Sequence, residues 1–165
     1  MHYVVALLDT PSHELNISRK EHGDVLTAAA TNPDLVGGSR TTGRKPWSVQ
    51  GDANSPFEEY GKMWELCLDK WIDEPRVPYF FIKYIQTTPQ IKLSAYTSLL
   101  KKRENSNHRM LREEVVRSCD PLDDNSILKV AWGDPDEACR QIAKERVGVF
   151  TNYVGVQETR SQLKV

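Results

Sequence analysis

One amphipathic stretch, Ser55 to Asp73, constrains the fold of this chain more than any other. Stepped at about 3.6 residues per turn, its large apolar side chains fall within roughly 100° of arc. They are Phe57, Tyr60, Trp64, Cys67, Leu68 and Trp71. Ser55 can cap the first turn, Pro56 suits the first helical position, and Glu58 completes a capping box. The pattern therefore predicts a core helix with two tryptophans on its buried face.

Length and composition indicate a single globular domain. The chain has 165 residues, of which 39% are hydrophobic and 27% are charged, which is enough to bury a sizeable core. We expect one domain over residues 1–157 and a polar C-terminal tail over residues 158–165. The net charge of −1 argues against a protein that coats nucleic acid, although it leaves room for a local basic patch.

The cysteines and the N-terminus bear on the cellular compartment. Cys67, Cys119 and Cys139 are an odd number of cysteines without C-x-x-C spacing, so reduced thiols are the simplest interpretation. No basic region precedes the N-terminal apolar run, and no stretch reaches the roughly 20 apolar residues of a membrane span. We therefore expect an intracellular, cytoplasmic protein without a membrane partner.

Four short runs rich in β-branched and aromatic residues predict strands, namely Tyr3–Leu8, Tyr79–Gln86, Ser126–Trp132 and Val147–Val156. Helical patterns separate them. A capping box at Ser18–Glu21 opens a helix to about Thr31, and Asp134 is the predicted cap of a helix that ends near Arg146. Thr88 to Ser118 predicts a helical hairpin, whose first helix has an apolar arc wide enough to be contacted from two sides. The predicted fold class is α/β, a small and mostly parallel sheet of about four strands covered by about five helices.

Basic residues concentrate in a glycine-rich loop and in the predicted hairpin. The loop, Val36 to Trp47, carries Arg40, Arg44 and Lys45, and the hairpin carries Lys101, Lys102, Arg103, Arg109 and Arg112. Backbone amides of a glycine-rich loop can approach phosphate, and arginine side chains bind it with paired donors. The first hypothesis is a non-enzymatic binding protein without a cofactor, which engages nucleic acid, a phosphorylated ligand or an acidic protein surface, or associates with itself. The alternative is that these are ordinary solvated faces.

A second hypothesis rests on acidic residues at the ends of predicted strands. Asp9 follows the first strand, and Asp134 and Asp136 follow the third. In a parallel sheet such residues meet at one edge, where they could bind Mg²⁺ or Mn²⁺ and activate water against a phosphodiester. The alternative is that Asp134 and Asp136 only cap the helix that they open.

Leu7-Leu8-Asp9-Thr10 resembles the opening of PIN-domain ribonucleases, and the stretches 136–143 and 149–152 are similar to the late helix and strand of that family. The resemblance implies that Asp9, Asp136 and Asn152 would be metal-site residues of a ribonuclease. The middle of the chain departs from the family pattern. A third hypothesis is a structural subunit of a larger assembly, with the basic loop and the C-terminal tail as docking arms.

Overall fold

The structure, a computed structural model, describes residues 2–32, 56–85, 87–102 and 106–148. Within these ranges the chain forms helices and turns and contains no β-strand or sheet. The helices are α1 (His2–Asp9), α2 (Arg19–Thr31), α3 (Pro56–Lys70), α4 (Arg76–Tyr84), α5 (Pro89–Lys101), α6 (Ser106–Arg117), α7 (Asn125–Ala131) and α8 (137–148). The prediction of an α/β fold with a mostly parallel sheet is therefore wrong.

The first predicted strand, Tyr3–Leu8, is helix α1. Its burial follows a helical period, because Val4 and Leu8 are buried while Tyr3 is 84% exposed and Ala6 is exposed. Residues four apart lie on one face of a helix. In a strand, Ala6 would lie on the same face as Val4 and Leu8 and would be buried with them, but it is exposed. The apolar run is thus one face of a short helix that packs on α3.

The predicted strands Tyr79–Gln86 and Ser126–Trp132 are also helical, as α4 and α7. In α4 the buried side chains recur with helical spacing at Val77, Phe81 and Ile82, and the C-cap residue Ile85 is buried as well. Pro78 lies in the first turn of α4, where a missing backbone N–H costs no intrahelical hydrogen bond. The fourth predicted strand, Val147–Val156, begins within the last residues of α8, and residues 149–156 lie outside the described residues.

The predicted helices are confirmed. The capping box that opens α2 forms with both of its hydrogen bonds, from Ser18 N to Glu21 Oε2 at 2.8 Å and from Glu21 N to Ser18 Oγ at 3.2 Å. Thr88 caps α5, and Pro89 occupies its first turn. The pair α5 and α6 pack against each other as the predicted hairpin.

Helix α3 lies at the centre of the core and packs on α1, α4 and α5. Its predicted apolar stripe is the buried face of the helix, where Tyr60, Trp64 and Cys67 are at most 1% exposed, and Trp71 directly after the helix is buried as well. The predicted two-sided contact of α5 is confirmed as well, since α5 packs on α3 on one side and on α6 and α7 on others. The core is therefore built around the helix that the sequence marks most strongly.

The three cysteines are buried and form no disulfide. Among the described residues, no helix is both long and apolar enough to cross a membrane. The predicted tail, residues 158–165, lies outside the described residues.

Candidate functional site

Asp9, the first residue of the predicted acidic cluster, ends helix α1 rather than a strand. The ammonium group of Lys70, at the end of α3, donates hydrogen bonds to the Asp9 carboxylate and to its backbone carbonyl oxygen. The hydrogen bond from Lys70, together with its charge, lowers the pKa of Asp9. The carboxylate is thus engaged in joining α1 to α3.

Side chains from α2 and from the end of α3 hold the carbonyl groups that end α1. A helix leaves its last carbonyls without intrahelical partners. His22 Nε2 donates to the carbonyl of Leu7 at 2.9 Å, and Trp71 Nε1 donates to that of Leu8 at 3.0 Å. Because His22 Nε2 carries the proton, Nδ1 accepts from the Ser12 hydroxyl at 3.0 Å. The buried His22 therefore has a structural task, which is to fix the end of α1 and the loop after it.

Asp134 lies in a buried network between the hairpin and α8. Its carboxylate accepts hydrogen bonds from Arg112 Nε at 2.9 Å, from Arg112 Nη2 at 3.2 Å, and from the Tyr96 hydroxyl. Asp134 is 1% exposed and Arg112 is 3% exposed. Burial alone would raise the pKa of Asp134, but the hydrogen bonds from Arg112 and Tyr96 outweigh burial, and the pKa falls below its ordinary value. The carboxylate is ionised and neutralised inside the fold.

Asp136, rather than Asp134, supplies the side-chain cap of α8. Its Oδ1 accepts from the backbone N–H groups of Ala138 at 2.9 Å and of Cys139 at 3.4 Å. Asp134 instead accepts from the backbone N–H of Asp136 at 2.7 Å. The predicted role of Asp134 as the cap is therefore reassigned to the residue two positions later.

The three predicted acids have separate partners. Asp9 is bound by Lys70, Asp134 by Arg112, and Asp136 by the first turn of α8. No group of three or more His, Cys, Asp or Glu side chains in the described ranges could hold a metal ion. Binding of Mg²⁺ or Mn²⁺ at Asp9 and Asp136 stays a prediction, without the sheet edge on which it was based.

The predicted basic surface is only partly described. Lys101 and Lys102 are exposed at the C-terminal end of α5. Arg109 Nε lies 3.3 Å from Glu113 Oε1 and 3.8 Å from Asp136 Oδ2. Arg112 is buried against Asp134, as described above. The others lie outside the described residues, and they are Arg40, Arg44, Lys45 and Arg103. Phosphate binding by this surface stays a prediction.

A second buried ion pair was not found by sequence reasoning. Lys92 Nζ lies 2.8 Å from Asp124 Oδ2 and 3.1 Å from the carbonyl of Ser118, and the Lys92 side chain is 4% exposed. The sequence signal for its burial is the position of Lys92, which lies four residues before Tyr96 and therefore on the apolar face of α5. Lysine on such a face indicates a buried partner, and here it joins α5 to the loop before α7.

A surface groove with an apolar floor runs between α3 and α5 and has a volume of about 170 Å³. The floor is formed by Trp64, Leu68, Ile91 and Ala95. The Trp64 ring is fixed by a hydrogen bond from Nε1 to the carbonyl of Ile85 at 3.2 Å. The two helices approach closely beside Gly61, where a Cβ atom would lie 3.1 Å from Ile91 Cδ1. The Trp64 ring is therefore held by a hydrogen bond, and the two helices are close-packed at Gly61.

Charged and hydroxyl side chains form the rim of this groove. Glu65 and Asp69, one turn apart on α3, are exposed and have no ion-pair partner in the part of the chain that the structure describes. Ser94 and Ser98, one turn apart on α5, line the other wall, and Lys102 follows at the end of that helix. The groove thus combines an apolar floor, a wall with two carboxylates, and a wall with two hydroxyl groups that ends in the cation of Lys102.

The groove was not predicted, although both of its walls carried signals. Trp64 and Leu68 belong to the predicted stripe of α3, and Ile91 and Ala95 belong to the wide apolar arc of α5. Sequence patterns identify the apolar faces of two helices but not the distance at which the helices pack. That distance depends on close contacts such as Gly61 against Ile91.

The resemblance to PIN-domain ribonucleases finds no support in this geometry. Its opening motif requires a strand that ends at Asp9, but Asp9 ends a helix, and Asn152 lies outside the described residues. Comparison of the chain with protein-family models, with curated proteins and with solved structures gives no match in any of the three.

Proposed function

We propose that this chain is a non-enzymatic, helical protein-interaction domain that holds an amphipathic helix of a partner protein in the groove between α3 and α5. The observation that carries the proposal is the groove between two helical walls, whose apolar floor is accessible at the half-buried side chains of Leu68 and Ile91, beside the buried Trp64 and Ala95. A helix laid into a groove between two helices buries its apolar face in the same way as helices within a core do.

The size of the groove favours a side chain over a small molecule. Small-molecule and cofactor sites usually have volumes of about 300–1,000 Å³, whereas this groove has about 170 Å³. The wall from Ile91 to Lys102 is about 16 Å long at the helical rise of 1.5 Å per residue, or about three turns. These dimensions suit a partner helix that lies along the groove and inserts one large apolar side chain.

The described hairpin offers fewer cations to a phosphate backbone than its sequence suggests, although Lys101 and Lys102 are exposed. Lys92 and Arg112 are buried in ion pairs with Asp124 and Asp134. Arg109 is within ion-pair distance of Glu113. A surface that tracks phosphates needs cations that are free to contact them, and these three are already engaged by acids of the same chain.

A display experiment tests the proposal. A library of amphipathic helical peptides is selected against the wild-type chain, and the selected peptides are then measured against a Ser98→Trp variant. Ser98 is exposed on the groove wall, so tryptophan at this position fills the groove without disturbing the core. The matched control is Gln90→Trp, which places the same side chain on an exposed position of the same helix outside the groove.

We expect the selected peptides to bind the wild type and the Gln90→Trp control alike, and to lose at least about tenfold in affinity for Ser98→Trp, equivalent to about 1.4 kcal/mol. The proposal fails if the library yields no binder. It also fails if binders are selected but bind Ser98→Trp as tightly as the wild type. Circular dichroism and thermal unfolding of both variants verify that each is folded.

A further inference from the structure

The acidic wall of the groove indicates which kind of partner helix it fits. Glu65 and Asp69 are exposed, lie one turn apart on α3, and have no ion-pair partner among the described residues. Like charges at this spacing destabilise a helix slightly. By contrast, the nearby acids Asp9 and Asp73 are paired with Lys70 and Arg19. Within the described ranges, the two carboxylates on the groove thus make no ion pair, and a cation of a partner can approach them.

The remaining described rim carries one cation, Lys102, against these two carboxylates. Ser94 and Ser98 on the opposite side carry no charge, and their hydroxyl groups can donate or accept hydrogen bonds. Lys102 is the C-cap residue of α5, where a cation is favoured by the carbonyl groups at the helix end. Among the described residues, a partner in the groove therefore meets an apolar floor with two carboxylates along one side and the Lys102 ammonium group at the end of the other, so the described lining is net acidic.

We propose that the groove selects a cationic amphipathic helix, with a large apolar residue facing Leu68 and Ile91 and with lysine or arginine side chains one turn apart facing Glu65 and Asp69. This inference rests on the proposed function and specifies the partner class of the same site. The apolar residue supplies most of the affinity, because it is the desolvated contact. The cations supply preference among partners and faster association.

Synthetic peptides that share one leucine stripe and differ only in flanking lysine, glutamine or glutamate provide the test. Fluorescence anisotropy at low and moderate salt measures the dissociation constant of each for the wild-type chain. We expect the lysine peptide to bind roughly fivefold tighter than the glutamine peptide, since an exposed ion pair is worth less than tenfold. The glutamate peptide should bind more weakly than either, and added salt should reduce the differences.

A charge reversal at the groove then assigns the preference. In the double variant Glu65→Lys and Asp69→Lys, the order of the peptides should invert. The control, Glu14→Lys with Glu145→Lys, changes the net charge equally at exposed residues that do not line the groove, and it should retain the wild-type order. If the control inverts the order as well, the preference comes from net charge alone and the inference is overturned.

The remaining outcomes separate this inference from the proposed function. If all the peptides bind the wild type equally and lose binding in Ser98→Trp, the groove is a binding site but the preference for a cationic partner is wrong. If none of the peptides binds and the display library also yields no groove-dependent binder, the proposed function itself is overturned, and this inference with it.

Discussion

Replacing Asp134 by asparagine should destabilise the chain by about 3–5 kcal/mol, the usual cost of removing one partner from a buried ion pair. The Asp134 carboxylate accepts from two nitrogens of Arg112, at 2.9 and 3.2 Å, and from the Tyr96 hydroxyl. Asparagine keeps the shape but presents an amide donor to groups that are themselves donors. It also leaves the guanidinium, in a residue that is 3% exposed, without a counter-ion. Since domains of this kind are usually stable by about 5–15 kcal/mol, the variant should still fold.

Urea unfolding followed by tryptophan fluorescence measures the change, and a double-mutant cycle identifies its origin. Arg112→Met removes the charge and keeps much of the volume. The Arg112→Met and Asp134→Asn double variant should therefore lose clearly less stability than the sum of the single variants, by more than about 1.5 kcal/mol. Glu14→Gln, at an exposed carboxylate, should cost less than about 0.5 kcal/mol.

The pH dependence has a definite sign. The pKa of Asp134 is lowered in the folded chain, so its contribution is complete above the ordinary aspartate value of 3.8 and is lost as the pH falls further. The gap in stability between wild type and Asp134→Asn should accordingly narrow in acid. A cost below about 1 kcal/mol at neutral pH, or strictly additive single and double variants, would refute the argument that the network is a coupled buried ion pair.

Three further results are expected. Burial lowers the pKa of His22, so its contribution to stability is present above the ordinary value of 6.5 and is lost as the pH falls. The free energy of unfolding should therefore fall less between pH 7.5 and pH 5 in His22→Gln than in the wild type. Trp71→Phe should cost about 1–3 kcal/mol in urea unfolding, because the carbonyl of Leu8 loses its donor and the Arg19 guanidinium loses its indole. A thiol reagent should label the cysteines only when urea unfolds the chain, since all three are buried and burial raises the pKa values of two, that of Cys139 to about 12 and that of Cys67 well above its ordinary value. The first expectation is contradicted if wild type and His22→Gln have equal pH profiles of stability. The second is contradicted if Trp71→Phe leaves the urea midpoint unchanged, and the third if the reagent labels the native chain rapidly.

The sequence predicts the helices of this fold where capping residues and a long period coincide. The capping box at Ser18 and Glu21, the stripe of α3, and Thr88-Pro89 at the start of α5 each combine a start signal with an apolar face. Where a start signal and an apolar face coincide, both indicate the same structure, a helix. The hairpin of α5 and α6 followed from the same evidence.

Three of the four predicted strands are helices, and they were mistaken for strands because short apolar runs have no period of their own. Tyr3–Leu8 is almost wholly apolar, so a buried strand and one turn and a half of buried helix fit it equally well. What decides is tertiary packing. Val4 and Leu8 face α3, and side chains from elsewhere, including His22 and Trp71, cap the helix end. None of these contacts can be inferred from the run itself.

The candidate site was missed for a related reason. The sites predicted from the sequence consist of charged residues, but two of these, Asp134 and Arg112, neutralise each other inside the fold. The groove residues Trp64, Ile91 and Ala95 carry no chemistry that distinguishes them from ordinary core residues. An apolar residue becomes part of a binding surface only through the spacing of the helices around it.

The most direct test of the central claim is a heteronuclear NMR titration of the chain with the lysine-flanked peptide. The proposed site predicts that chemical-shift changes concentrate on the Trp64 indole and on the backbone of α3 and α5 along the groove, and that Ser98→Trp abolishes them. Changes confined to a surface outside the groove, or none at peptide concentrations well above the measured dissociation constant, would contradict it.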